Sequence, residues 1–300
     1  MTPVDLLCAD AWASNAGDVA TALCTANGLA ARGIPVCRVP RERGNLTIVG
    51  GGDLLTPGSL TSPLYRDLKS PCIYNAVGGD PAAVAAVGGR ASLATAIGLS
   101  VRDSQLAAAL GGEGARVAPC PATLIDPLQW DIACSVPRWG ALNQYTTKKF
   151  IVVHARPECF GVANGAAEHV VAMESAPYTW TRWEAQGWLL PWTHAPELLA
   201  SVIAKASAVV TLSLHMSIFA LAVGTPFCVL DAGTPQTEKC RRYWERAGFG
   251  EVMYRGRRPA DHALSLASKM LAVRSAERIA ADEQLNWLAS QVAQHATQSV

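Results

Sequence analysis

The sequence predicts an α/β fold built from βα units on parallel sheets, and three observations carry that expectation. Short apolar runs alternate with helical patterns, Gly or Pro separates each pair, and the alternation persists from the first residues to about Asp231. A length of 300 residues is roughly two domains' worth, and 50% apolar content is enough to fill a sizeable core in each.

Taken in order, VDLLCAD (4–10) reads as a strand, and GDVATALCTANGLAARG (17–33) as a helix with Asp18 as its N-cap and Gly33 past its end. Strands follow in IPVCRVP (34–40), NLTIVGGGDLL (45–55), PCIYNAV (71–77), ATAIGLSVRD (94–103) and ARVAPCP (115–121). Residues 125–149 have no clean period and contain Pro127 and Pro137, so a domain junction is expected there, near residue 140. The pattern restarts with the strand KFIVVHA (149–155), a helix over 165–175 and an aromatic loop carrying Tyr178, Trp180, Trp183, Trp188 and Trp192. A helix (195–207), a strand (208–213), a helix (216–224) and a strand (226–231) come next, and the tail from about Asp261 is helical, with Leu285, Leu288 and Val292 at helical spacing.

Composition excludes several functions. Lys and Arg total 25 against 24 Asp and Glu, a formal charge of +1, so no large basic face is available for a nucleic-acid backbone and any anion must be met by a local pocket. The nine cysteines include no CxxC pair, which argues against a zinc site and reads as reduced thiols of a cytosolic protein; no other ligand cluster suggests a metal. MTPVDLLCAD has no basic leader and is interrupted by Asp5 and Asp10, so no signal peptide is expected. The run from Ala206 to Leu230 carries no formal charge, but Thr211, Ser213, His215 and Ser217 interrupt it and Gly224-Thr225-Pro226 breaks it, against a membrane span.

Candidate functional residues cluster where strands run into helices, the edge at which parallel α/β sheets bind ligands. In SNAGDVA, Asn15, Gly17 and Asp18 stand at a helix start whose backbone N–H groups could face an anion or a sugar hydroxyl; an ordinary βα turn with a good cap reads the same way. Gly51 and Gly52 of VGGGDLL would let the backbone approach a ligand, without the spacing of a dinucleotide site or the lysine of a P-loop. Arg102 and Asp103 end a strand just before a helix, as an ion pair, a cap or a ligand contact. Arg156, beside His154, could hold a phosphate or carboxylate bidentately or serve a surface salt bridge. The aromatic loop suits a sugar ring or its own packing. His215 lies where a strand end meets a helix N-terminus; an imidazole there is either a satisfied core group or a general acid or base.

In this order, NAGDVA, GGGDLL, SVRDSQLAAAL and SLHMSIFALAVGTP, the motifs resemble the polysaccharide pyruvyl transferase family over roughly residues 5–250. The resemblance implies two Rossmann-like domains facing a cleft, a GT-B-like arrangement: an N-terminal domain over 1–140 on the acceptor side and a C-terminal domain over 141–300 on the donor side, its helical tail packing back across the domains. It implies no cofactor. Phosphoenolpyruvate would be the co-substrate and a saccharide or lipid-linked saccharide the acceptor, in cytoplasmic synthesis of exopolysaccharide or another cell-surface glycan, a setting compatible with peripheral membrane association. His215 matches the family's histidine and would move the proton, with Arg156 and then Arg102 as cations for the donor. Where the family commonly carries Arg two residues before that histidine, this chain has Ser213; Lys239 is a candidate replacement. The same architecture supports two other readings: a glycosyltransferase using a nucleotide-sugar donor, and a non-catalytic glycan-binding relative.

Overall fold

A computed structural model of the chain describes residues 3–8, 16–39, 46–50, 52–57, 68–89, 93, 95–112, 114–128, 151–154, 177–179 and 196–298. They form two compact units, Met1–Leu124 with Arg278–Val300, and Ile125–Glu277. The junction expected near residue 140, the helix expected over 165–175, most of the aromatic loop, Asn15, Gly51 and Arg156 all lie outside the described residues.

The first unit is built on β1 (Val4–Cys8), α1 (Ala16–Ala30), β2 (Val36–Arg38), β3 (Thr47–Gly50), β4 (Asp53–Leu55), β5 (Cys72–Gly79), α2 (Pro81–Ala86), β6 (Ala96–Val101), α3 (Ser104–Ala109) and β7 (Ala115–Val117). All its strand pairings are parallel, in the order β2-β1-β3-β5-β6-β7, with β4 paired beside β5. Because both faces are covered, the strands are apolar nearly throughout, and neighbouring residues divide between two layers. Leu6, Ile48 and Ile73 pack with Ala22 and Leu29 of α1, while Leu7, Val49, Tyr74 and Leu99 pack on the other side with Val84 of α2 and Leu106 of α3. The short helices start on aspartate caps: Ala82 N donates to Asp80 Oδ1 at 2.9 Å and Leu106 N to Asp103 Oδ1 at 2.8 Å. Helix α1 begins at Ala16, so Asp18 lies inside its first turn and is not the N-cap the sequence suggested.

The second unit holds β8 (Ile151–His154), β9 (Pro177–Thr179), α4 (Pro196–Ile203), β10 (Ala208–Thr211), α5 (Leu214–Val223), β11 (Phe227–Leu230), α6 (Pro235–Arg246), β12 (Met253–Tyr254) and α7 (Pro259–Ser265). Its five-stranded sheet is parallel in the order β12-β11-β10-β8-β9. Gly224 closes α5 in the left-handed conformation (φ 84°), which ends the apolar run and turns the chain into β11. Helix α5 packs on β10 and β11 and is buried on nearly every face, and the α6 side is anchored by the Phe227, Trp244 and Phe249 aromatic cluster.

The last helix, α8 (Ala267–Gln298), contributes its beginning to the second unit and residues 278–298 to the first. Leu288 and Val292 join the apolar layer of Leu6, Ile48 and Ile73, so the end of the tail packs onto the first sheet. No helix among the described residues is long and apolar enough to cross a membrane.

Candidate active site

In each sheet the strand order reverses once, and parallel α/β sheets bind ligands outside the carboxyl ends of the two strands that flank such a switch point. In the first sheet the reversal falls between β1 and β3, and in the second between β8 and β10. The candidate residues distribute over these edges.

At the first edge, Gly17 and Asp18 occupy the buried first turn of α1, and Thr21 Oγ1 donates to Gly17 O at 2.9 Å. Gly52 (φ +76°) lies against them: a Cβ there would stand 2.9 Å from Asp18 Oδ1, so only glycine lets the chain leave β3 so close to the carboxylate. Cys8, which ends β1, has its thiol pushed up to about 12 by burial; the Asp18 carboxylate adds to the shift and the Arg38 guanidinium opposes it. It stays protonated near neutral pH and is no nucleophile.

Arg102, open in the sequence to an ion pair, a cap or a ligand contact, is buried. Its side chain is 3% exposed; Nε donates to Ala76 O at 2.8 Å, Nη2 lies 3.4 Å from Cys120 Sγ, and Nη1 is 4.0 Å from Asp53 Oδ1. Ala76 has φ 48°, a left-handed conformation that costs a non-glycine residue about 1–3 kcal/mol and persists only where its surroundings over-determine it. Those surroundings are Arg102 on its carbonyl and Ser100 Oγ, which accepts from Ala76 N at 2.8 Å. Arg102 is therefore a brace for the irregular stretch of β5 between Tyr74 and Val77, and Asp103 is a helix cap.

Sequence reasoning missed the layer beneath this edge. Gln284 Nε2, from α8, donates to Asn75 Oδ1 at 2.9 Å and to Ser100 Oγ at 2.7 Å, and Asn75 Nδ2 donates to Thr25 Oγ1 at 3.2 Å. No local pattern signals a contact between residues 75 and 284; four polar residues at apolar positions of strands and helices were the only clue.

At the second edge, β8 and β10 lie side by side with His154 in register with Thr211. Beyond Thr211 the chain makes a tight turn in which Ser213 N donates to Thr211 Oγ1 at 2.9 Å, and α5 starts at Leu214. Ser213 is the N-cap by position, but its side chain caps nothing, and His215 is the second residue of the helix, half-buried. The positive end of the helix macrodipole thus stands beside the imidazole, a place that favours an anion. The turn is held from behind, where Ser217 Oγ donates to Leu214 O at 2.7 Å and accepts from Trp244 Nε1 at 3.1 Å. Lys239 lies half-buried in the second turn of α6.

One strand further, Asp231 follows β11. Its carboxylate accepts from Arg255 Nε at 2.8 Å, from Arg241 Nη2, and from Gly233 N at 3.2 Å. Burial would raise its pKa, but these donors outweigh burial and hold it below the usual carboxylate range. The sequence signal for this cluster was the aspartate at a strand end and the run YRGRR, neither of which had been assigned a role.

Comparison with known proteins bears on residues 15–233, which match the model of the polysaccharide pyruvyl transferase family. Among curated proteins no sequence matches significantly. Similar solved structures include an uncharacterized protein from Klebsiella pneumoniae (11% identity, TM-score 0.47, covering 85% of this chain and 93% of that one). The spinosyn forosaminyltransferase SpnP is similar at 13% identity and TM-score 0.49, covering 97% and 99%. The UDP-GlcNAc 2-epimerase of Methanocaldococcus jannaschii, in complex with UDP-GlcNAc and UDP, is similar at 12% identity and TM-score 0.44, covering 90% and 82%.

Proposed function

The chain belongs to the polysaccharide pyruvyl transferase family, and from that premise we propose that it transfers a pyruvyl group from phosphoenolpyruvate to two hydroxyls of a saccharide, forming a ketal. The observation that carries this reading is His215 in the first turn of α5, directly beyond the carboxyl end of β10 and beside the switch point of the second sheet. A titratable ring and the positive end of a helix stand together there, which suits a donor carrying both phosphate and carboxylate.

The chemistry assigns the parts. A proton is delivered to the enol methylene carbon, making the methyl group; one sugar hydroxyl bonds through oxygen to the adjacent carbon and gives up its proton, phosphate departs with the electron pair of its C–O bond, and the second hydroxyl closes the ketal as its proton passes to the departing phosphate, so that one of the two protons released replaces the one spent on the methyl group. His215 is the proposed proton carrier, and Arg156 the proposed cation for the donor. Ser213, whose hydroxyl caps nothing in the helix, can donate one hydrogen bond where the family commonly carries a guanidinium. At the first edge, Asn15, Gly17, Asp18, Gly51 and Gly52 are proposed to receive the acceptor. Arg102 would support that edge without touching the sugar.

The test is phosphate release from phosphoenolpyruvate with a panel of saccharide and lipid-linked saccharide acceptors. Release should depend on the acceptor, and His215→Ala should lower it by about 10²–10⁴-fold, the usual contribution of general acid–base catalysis, with the melting temperature unchanged. Absence of release with every acceptor, together with stabilisation by nucleoside diphosphates and not by phosphoenolpyruvate, would replace this reading with nucleotide-sugar transfer.

A further inference from the structure

We propose that the turn after β12 is a phosphate-binding site, in which Arg255 presents its guanidinium fork to the phosphoryl dianion of a small ligand at the carboxyl edge of the second sheet. The choice of phosphoenolpyruvate as that ligand rests on the function proposed above; the site itself rests on the geometry of the turn.

Asp231 and Arg255 define the geometry. The Asp231 side chain is 7% exposed and binds Arg255 only through Nε, at 2.8 Å. The Arg255 side chain is 71% exposed, and its two terminal nitrogens make no hydrogen bond among the described residues. An arginine clamped at Nε keeps its fork aimed outward, the arrangement that grips a phosphate or carboxylate through two parallel hydrogen bonds. Arg241, which shares the carboxylate, is instead neutralised on both sides, because its Nε also donates to Glu238 Oε2 at 3.3 Å.

The turn that carries Arg255 is braced. Tyr254 Oη accepts from Arg258 N at 3.2 Å, and the Tyr254 ring stacks on His262 with centroids 4.4 Å apart. A Cβ on Gly256 would fall 2.1 Å from Tyr254 Oη, so the residue between two arginines must be glycine for the tyrosine to fill the turn. The result fixes Arg255, Arg257 and Arg258 together on the surface; Arg258 is partly offset by Asp261 at 3.8 Å, and Arg257 makes no ion pair among the described residues. With Asp231, Glu238 and Asp261 set against Arg241, Arg255, Arg257 and Arg258, the turn keeps a surplus of positive charge that favours an anion.

Position ties the turn to the proposed chemistry. Asp231 N donates to Tyr254 O at 2.9 Å, so Arg255 leaves the same sheet edge as His215, two strands away in the order β12-β11-β10 and about 10 Å at ordinary strand spacing. A three-carbon phosphate and an extended guanidinium arm together can span that interval. Arg255 also lies beyond residue 233, where the family match ends, so it would be a feature of this chain that offsets the missing cation at Ser213.

The experiment is isothermal titration of the full-length protein with phosphoenolpyruvate, inorganic phosphate and a nucleoside diphosphate, for the wild type, Arg255→Gln, Arg255→Lys, Arg257→Gln and, as a control on the first sheet, Arg116→Gln. Arg255→Gln should weaken phosphoenolpyruvate binding by at least about tenfold, the scale of one charge-assisted hydrogen bond. Arg255→Lys should not restore it, because a point charge lacks the fork, and Arg116→Gln should bind as the wild type. Circular dichroism melts of Arg257→Gln and Arg116→Gln should coincide with that of the wild type, and the two Arg255 variants, which lose the hydrogen bond to Asp231, should still unfold cooperatively above the temperature of the titration. If the wild type binds inorganic phosphate or the nucleoside diphosphate through Arg255 but does not bind phosphoenolpyruvate, the site stands and the pyruvyl-donor reading falls. If phosphoenolpyruvate binds and both Arg255 variants stay within twofold of the wild type, or if no phosphate ligand binds at all, the site is overturned.

Discussion

Gly52 shows how one residue is read correctly for its type and incompletely for its reason. Three glycines after an apolar strand announce close backbone approach, but what the backbone approaches is the Asp18 carboxylate of the neighbouring βα turn. Gly52→Ala would meet a left-handed backbone and an oxygen at 2.9 Å together, and should cost about 1–3 kcal/mol in urea unfolding. Arg102 makes the complementary point. Its position at a strand end was legible, whereas its commitment to Ala76 O and Cys120 depends on residues 26 and 18 positions away.

At the scale of elements, the edge of the second sheet is held by charge. Asp231 joins the ends of β11 and β12 to α6, and its donors keep it ionised below the usual carboxylate range. A carboxyl with a depressed folded pKa contributes stability that is present above its unfolded value, near 3.9, and is lost as pH falls through the folded value. The stability difference between wild type and Asp231→Asn, measured by urea melts from pH 7 to pH 3, should therefore be constant at neutral pH and shrink below about pH 4. A difference that grew on acidification would contradict this account. Glu251, lowered by its hydrogen bond from Lys269, works in the same direction at the far end of β12.

At the scale of the whole molecule, the first unit is not continuous in sequence. Leu288 and Val292 complete the apolar layer over β1, β3 and β5, and Gln284 supports the polar layer beneath the ligand edge. Leu288→Ala should cost about 2–5 kcal/mol as a buried large-to-small change, read as faster amide exchange in β1, β3 and β5 than in the wild type. Unchanged exchange in those strands would show that the tail is dispensable to the sheet.

The parallel α/β character, most of the strands and the placement of His215 were determined by the sequence alone, because buried strands, caps and breakers are local signals of a few residues. The helix expected over 165–175 and the contribution of Arg156 fall outside the described residues. Only the tertiary structure decided which charged groups are spent on the protein and which face outward. Arg102 and Arg255 each follow a strand, yet one is buried against a carbonyl while the other is clamped with its fork in solvent. That difference is set by partners distant in sequence, Ala76 and Asp231, and burial and pairing are properties of the packed sheet edge that no local pattern encodes.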